Sequence, residues 1–323
     1  MNEYQAAMID TVRIDGDAWF ALGDKQILAL QLAVSHRIQA LEPADPDDAT
    51  AARPAPAISL ACAAPTEADL TRNSTLPLLI VRYSNGMREW LVDSDTNMLV
   101  AATDLDTGNV RCIRPLDRDK RMRERGLSAS GPMPDAFEAA TTGLGIEQIN
   151  LLGFGFTTET TRLALSAIDF DVRSNVVTVN VAGQERPPRA APLADATPFV
   201  QPQPFDGPTD VASAALMLPG EDASPGRSFA LRGDVRVPAP SYAPKSRDGD
   251  GKLLPVTLLF VQRDRRAVEM AQILVPVQAS DGMLEGGFTF DLWHAHAVPD
   301  GRTQLYLVAG SEVAGPYPIM HVA

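Results

Sequence analysis

Leu76-Pro77-Leu78-Leu79-Ile80-Val81-Arg82-Tyr83, closed by Ser84-Asn85-Gly86, reads as a strand running into a turn. Its side chains are mostly branched or aromatic, and the closing residues favour chain reversal. The same grammar extends in both directions. Ile58-Ser59-Leu60-Ala61-Cys62 precedes it, and Arg88 to Val92, Met98 to Ala102 and Asn109 to Ile113 follow. Asp93-Ser94-Asp95 and Asp106-Thr107-Gly108-Asn109 punctuate these runs at the spacing of an antiparallel sandwich or barrel. An irregular stretch, charged and containing Gly and Pro, comes next. Arg162 to Phe170 and Asn175 to Val181 then restore the alternation as a hairpin across Asp171-Val172-Arg173-Ser174.

Further strands are expected at Val211 to Leu218, Phe229 to Val237, Leu254 to Gln262, Ala271 to Val277, Gly287 to Trp293, Gln304 to Ala309 and Pro318 to Val322. No long helix is expected among them. Towards the N-terminus, alternation about Asp15-Gly16 between Thr11 and Leu22 predicts a tight hairpin. Ile27, Leu30, Val34, Ile38 and Leu41 then recur at helical steps. They predict an amphipathic helix over Lys25 to Leu41, with Asp24 as N-cap and a stripe that needs a partner.

Two proline-rich stretches divide the chain. Glu42 to Pro56 carries four prolines and clustered acids, and Glu185 to Pro208 carries Pro187-Pro188, Pro192, Pro198, Pro202 and Pro204. The expected fold is therefore mainly β: two antiparallel β-sandwich domains of immunoglobulin-like type with a short N-terminal α/β arm. The arm covers residues 1–56, the first sandwich 57–186, the linker 187–208 and the second sandwich 209–323. A weak internal repeat accompanies this division. Ile58-Ser59-Leu60, a polar loop and Leu76-Pro77 in one half match Val235-Arg236-Val237, a polar loop and Leu254-Pro255 in the other. Duplication and chance both account for it. A proline opening a strand removes no ladder bond in either half.

Composition narrows the function classes. The chain has 323 residues, 45% of them hydrophobic and 21% charged, enough for two packed domains. Basic residues number 28 against 41 acidic ones, so the net charge is −13, which opposes a chain-wide footprint for nucleic acid or anionic lipid. No apolar run reaches the length of a membrane span, and Met1-Asn2-Glu3-Tyr4 lacks the basic start of a signal peptide, so the expected location is the cytoplasm. Cys62 and Cys112 are too few for a disulfide framework and are expected as reduced, packed thiols, although one bridge would be compatible with the count.

The chemistry-bearing motifs are incomplete. Gly220 to Ser228 spaces its glycines wrongly for a phosphate loop and places Arg227 where lysine belongs. Gly143-Leu144-Gly145 and Gly153-Phe154-Gly155 lack a third glycine and suit turns or close backbone approach. Gly126-Leu127-Ser128-Ala129-Ser130 lacks the closing glycine of a nucleophile elbow. Asp93, Asp95 and Asn97, with Asp104 at the twelfth position, are oxygen donors spaced for a calcium loop, but Met98 occupies the position that requires glycine. His294 and His296 would project from one face of a strand as a candidate transition-metal pair. Arg114, Arg118, Lys120, Arg121, Arg123 and Arg125, beginning just after Arg111, form a basic cluster suited to an acidic partner.

The expected function is a non-catalytic binding or assembly protein made of tandem β modules, with a protein partner or self-association through the N-terminal helix. No resident cofactor is expected. A hydrolase acting on a carbohydrate or ester is one alternative, and a calcium-stabilised sandwich at Asp93, Asp95 and Asn97 is another. A small-molecule or glycan ligand stays open, whereas membrane and nucleic-acid partners are not expected.

Overall fold

The structure, a computed structural model, describes residues 2–41, 58–85, 98–113, 142–154, 159–169, 171–184, 213–217, 229–239, 252–262, 269–292 and 303–319. Two helices come first, α1 (Glu3–Thr11) and α2 (Asp24–Gln39). The strands follow: β1 (Ile58–Ala63), β2 (Glu67–Asp69), β3 (Pro77–Asn85), β4 (Met98–Asp104), β5 (Val110–Ile113), β6 (Thr142–Asn150), β7 (Thr161–Asp169), β8 (Val172–Arg173), β9 (Val177–Ala182), β10 (Ser213–Met217), β11 (Phe229–Pro238), β12 (Lys252–Gln262), β13 (Glu269–Ser280), β14 (Met283–Leu292), β15 (Thr303–Ala309) and β16 (Glu312–Ile319). The protein is mainly β, with several antiparallel sheets. It forms two compact units, one of Met1–Ala101, Ile113–Thr160 and Leu165–Gln184, the other of Ala102–Cys112, Thr161–Ala164 and Glu185–Ala323.

In the N-terminal unit, the expected hairpin about Asp15-Gly16 is replaced by helix. Tyr4, Met8 and Val12 recur every fourth residue, all are buried, and Asn2 caps α1 by accepting the Gln5 N–H through Oδ1 at 2.8 Å. Gly16 does take the positive φ of a turn, 51°, but it leads into a short 3-10 turn, Gly16–Ala21, that buries Trp19. The N-terminal segment therefore contains no strand among its described residues. The N-cap of α2 is Gly23, not Asp24, and the Gln26 side chain accepts the Gly23 N–H at 3.2 Å.

The expected stripe of α2 finds its partner within the same unit. Val34 and Ile38, flanked by Ile27, Leu30 and Leu41, pack with Tyr4, Met8 and Trp19 on Ala61, Leu79, Val81, Tyr83 and Ile146. The rings of Tyr4 and Tyr83 stack with centroids 5.1 Å apart. The N-terminus is thus a helical layer on the sheet β1-β3-β6, not an arm. That layer also explains the unbroken apolar run of β3. Helices bury Leu79 and Val81 on one face while Leu78 and Ile80 are buried on the other, so alternation disappears.

Strand β6 lies in the stretch expected to be irregular. It pairs with β3 along its whole length, setting Gly143 opposite Ser84 and Gly145 opposite Arg82. Those glycines are strand positions, and a side chain at Gly145 would meet open space, so neither a turn nor a close approach is needed there. A second sheet runs β2-β9-β7-β4-β5, with β8 on β7. Residues Val172 and Arg173, expected as a simple connection, fold back to pair with Asp169 and Ile168. β2 and β9 run parallel, which a purely antiparallel sandwich would not contain.

In the C-terminal unit, seven strands follow the order β10-β11-β14-β13-β12-β15-β16, and the end strands β10 and β16 approach each other, making a near-barrel. β13 changes partner along its length. Its residues up to Val277 pair with β12, and Gln278 to Ser280 pair with β14. Asp281 and Gly282, with φ of 50° and 78°, form the two-residue turn that joins β13 to β14. In β16 the register slips opposite Leu305 to Leu307; Gly315 sits at this bulge with φ 116°, and a Cβ there would come 2.7 Å from the Leu305 carbonyl oxygen.

The core of this unit gathers Val235, Val237, Leu254, Val256, Leu258, Phe260, Ile273, Val275, Leu284, Phe288, Leu305 and Leu307. The opposite face of β12 and β15 is buried as well: Leu259, Val261, Tyr306 and Val308 are all shielded from solvent. Pro255 is not the opening residue of β12, yet it costs no ladder bond to β15, which joins β12 only from Thr257 onward. The two halves of the sequence repeat are wired differently. β1 pairs directly with β3, whereas β11 pairs with β10 and β14, and β12 with β13 and β15.

Candidate functional site

Of the expected calcium ligands, only Asp104 lies among the described residues; Asp93, Asp95 and Asn97 fall outside them. Asp104 ends β4 and organises the turn to β5. Its Oδ1 accepts the N–H groups of Asp106 and Thr107 at 2.9 and 3.2 Å and the Thr161 hydroxyl at 2.9 Å. Its main-chain carbonyl accepts the Gly108 N–H at 2.7 Å, and Gly108 takes the positive φ, 75°, that the reversal needs. Asp106 is engaged too, with Arg162 Nε 3.2 Å from Oδ1 and the Arg162 N–H donated to Oδ2. These carboxylates hold a turn together. No group of three metal-binding side chains gathers among the described residues.

His294 and His296, and the basic cluster of Arg114, Arg118, Lys120, Arg121, Arg123 and Arg125, lie outside the described residues. Both cysteines are free thiols. Burial pushes the Cys62 thiol up to about 11 and that of Cys112 up to about 12, so neither is a poised nucleophile. Among carboxyls, burial raises Asp234 above its ordinary value; it sits on β11 opposite Gly287, two residues from Arg236, whose Nε lies 2.8 Å from Glu285 Oε1.

The feature that stands out is on α2. Leu28 and Leu32 are 57% and 55% exposed, on the side of the helix away from the packed stripe. Ala29 and Ala33 are exposed beside them. No protein-family model matches this chain, and no curated protein does.

The apolar residues Ile27, Leu28, Ala29, Leu30, Leu32, Ala33 and Val34 run almost without interruption, so α2 is apolar on two sides over these turns. Here one side is covered by the sheet and the other faces out. Reading the stripe from Ile27 to Leu41 by its three- and four-residue steps passes over Leu28 and Leu32, which keep a four-residue step of their own. That second step is the signal that would have found them. No helix among the described residues is long and apolar enough to cross a membrane.

Proposed function

We propose that the protein is a non-catalytic binding or assembly protein whose docking element is the outward side of α2. The observation that carries this reading is the exposure of Leu28 and Leu32 on a helix whose other side is already packed against its own sheet. Scattered surface leucines are ordinary, but a pair one turn apart is a ready contact for another apolar surface.

We further propose that the C-terminal unit is an immunoglobulin-like sandwich. Lettering its strands A to G in chain order, the sheet path reads A-B-E-D and then C-F-G, the arrangement of constant-type domains. The partner change within β13 then marks the passage from one sheet to the other. The N-terminal unit has a different order and a parallel pair, so for it the narrower reading lacks this support. Division into tandem modules at the proline-rich residues 187–208 belongs to the same proposal, as does a cytoplasmic location.

The test compares the full chain with its Leu28→Asp/Leu32→Asp variant, both tagged and recovered from native lysate. A stoichiometric protein retained by the first and lost from the second supports the reading. Identical recoveries, or robust turnover in a panel of ester and glycoside substrates, contradict it.

A further inference from the structure

We infer that the outer edge of β6 takes an extended segment of another protein, laid antiparallel, whose side chains alternate between apolar and basic. The inference rests on the binding reading above and adds to it a contact made by backbone. The parity of the ladder shows the edge. Leu60 and Cys62 of β1 turn their outward groups to Gln5 and Asn175, so Ser59, Ala61 and Ala63 face β3. Carried across the register, the even-numbered residues of β3 face β6, and Leu144, Ile146 and Gln148 of β6 turn their N–H and C=O groups away from the sheet. The Leu144 carbonyl agrees with this, since it accepts the Gln31 side chain at 3.0 Å. The backbone groups of Ile146 and Gln148 find no partner among the described residues, although Ile146 is buried. One edge of the sheet is thus closed by side chains, and the other offers an open ladder to an added strand.

The groups that border this edge select the occupant. Gln31 marks the flank of α2 that overhangs β6, and exposed Asp24 lies within about 20° of it round the helix, with Leu28 about 60° further. Lys25, His36 and Arg37 all lie about 120° or more from Gln31, so no cation of the helix stands on this flank. A side chain placed opposite Ile146 falls on the helix side of the sheet, where Ile146 and Leu28 supply apolar contact. The side chains between fall on the far side with half-buried Glu147, and the cation of that side, Arg82, is buried on β3, one strand in from the edge. A net charge of −13 attracts a basic segment and opposes an acidic one. A second copy does not fit, because it brings its own helix. Pairing β6 with β6 would set two α2 helices about one strand spacing apart, ~4.8 Å, where packed helices need about 8–10 Å. A bare strand needs no such room.

The experiment titrates the full chain into short fluorescently labelled peptides that alternate Val with Lys or Val with Glu, and follows amide exchange of the protein. The Lys-containing peptide is expected to bind at least tenfold more tightly. It should slow exchange at Ile146 and Gln148 and leave Gly145 and Glu147, which already face β3, unchanged. Methylating the valine nitrogens of that peptide removes the donors that face β6 and should abolish binding. Gln148→Pro should weaken binding at least tenfold; the N–H it removes points outward, so pairing with β3 is kept. Should Gln148→Pro fail to fold, the exchange pattern of the unaltered chain decides. Equal binding of the two peptides, binding of neither, full affinity of the methylated peptide, no added protection at Ile146 and Gln148, or self-association that doubles the sedimenting mass overturns the inference. If Leu28→Asp/Leu32→Asp still removes a native partner while no peptide protects the edge, the binding reading stands and the β6 edge falls.

Discussion

The side-chain amide of Asn175 stands in for a neighbouring strand beside Cys62. Its Oδ1 accepts the Cys62 N–H at 2.8 Å and its Nδ2 donates to the Cys62 carbonyl at 3.0 Å. β1 ends its sheet, and this edge is further closed by Gln5, whose Nε2 donates to the carbonyls of Leu60 and Arg173 at 2.7 and 3.2 Å. An uncovered edge would invite pairing with other chains. Asn175→Ala leaves two backbone groups without partners, and a loss of about 1–3 kcal/mol is expected. Urea unfolding measures it, and amide exchange at Cys62 should accelerate in parallel. An unchanged midpoint would show that the amide contributes nothing.

The fully buried Cys62 thiol should be silent in the folded protein, whereas Cys112 is half-buried and serves as the internal comparison. Their folded values are raised from 9.0 to about 11 for Cys62 and about 12 for Cys112, so below pH 9 thiols are protonated in folded and unfolded chains alike and stability does not depend on them. Above pH 9 the unfolded chain releases thiol protons first, and stability falls as pH climbs towards 11 and 12. Ellman's reagent at pH 8 should leave Cys62 unlabelled until denaturant is added, and any slow labelling of the native chain should fall on Cys112. Rapid labelling of Cys62 in the native chain would contradict its burial.

Leu259 and Tyr306 face away from the main core of the C-terminal unit yet are fully buried. Leu259→Ala is therefore expected to cost about as much as Leu258→Ala, in the range of roughly 2–5 kcal/mol for buried leucines. Gln272→Ala, at an exposed position of β13, should change little. A loss at Leu259 as small as that at Gln272 would mean that this face is open to solvent.

Gly145 and Gly286 should respond in opposite ways. A Cβ at Gly145 meets nothing, so Gly145→Ala should be neutral or stabilise by about 0.4–1 kcal/mol by restricting the unfolded chain. At Gly286 a Cβ would overlap the carbonyl oxygen of Pro276, which belongs to backbone and cannot rotate away. Gly286→Ala should lower the melting temperature clearly. Equal melting temperatures for the two variants would refute the crossing geometry of β13 and β14.

Asp234 titrates at a raised value because burial disfavours its charge. A raised carboxyl opposes folding at neutral pH, and the penalty disappears as pH falls below 3.8, where the unfolded carboxyl is protonated as well. Asp234→Asn should thus be more stable than the parent at pH 7 and equal to it at pH 3. A pH-independent difference would assign the effect to shape, not charge.

Much of the strand pattern can be read from residues alone, because branched runs such as Leu254 to Gln262 and turn residues such as Asp106 to Asn109 act locally. β6 cannot, since Gly143, Gly145, Glu147 and Gln148 have weak strand preference and only pairing with β3 holds them extended. α1 is not marked by Asp15-Gly16, since the positive φ of Gly16 serves a reversal without dictating which elements flank it. Asp281-Gly282 does mark a hairpin, one that alternation over Gly287 to Trp293 places too late along the chain. Leu28 and Leu32 needed the structure, because sequence periodicity alone does not say which side of a doubly apolar helix is covered.

Photo-crosslinking in native cells from a benzoylphenylalanine placed at position 32, with position 272 on β13 as control, tests the docking role of α2 most directly. A single discrete protein adduct from position 32, absent from position 272, is the predicted result. No adduct at position 32, or the same adducts from both positions, would contradict it.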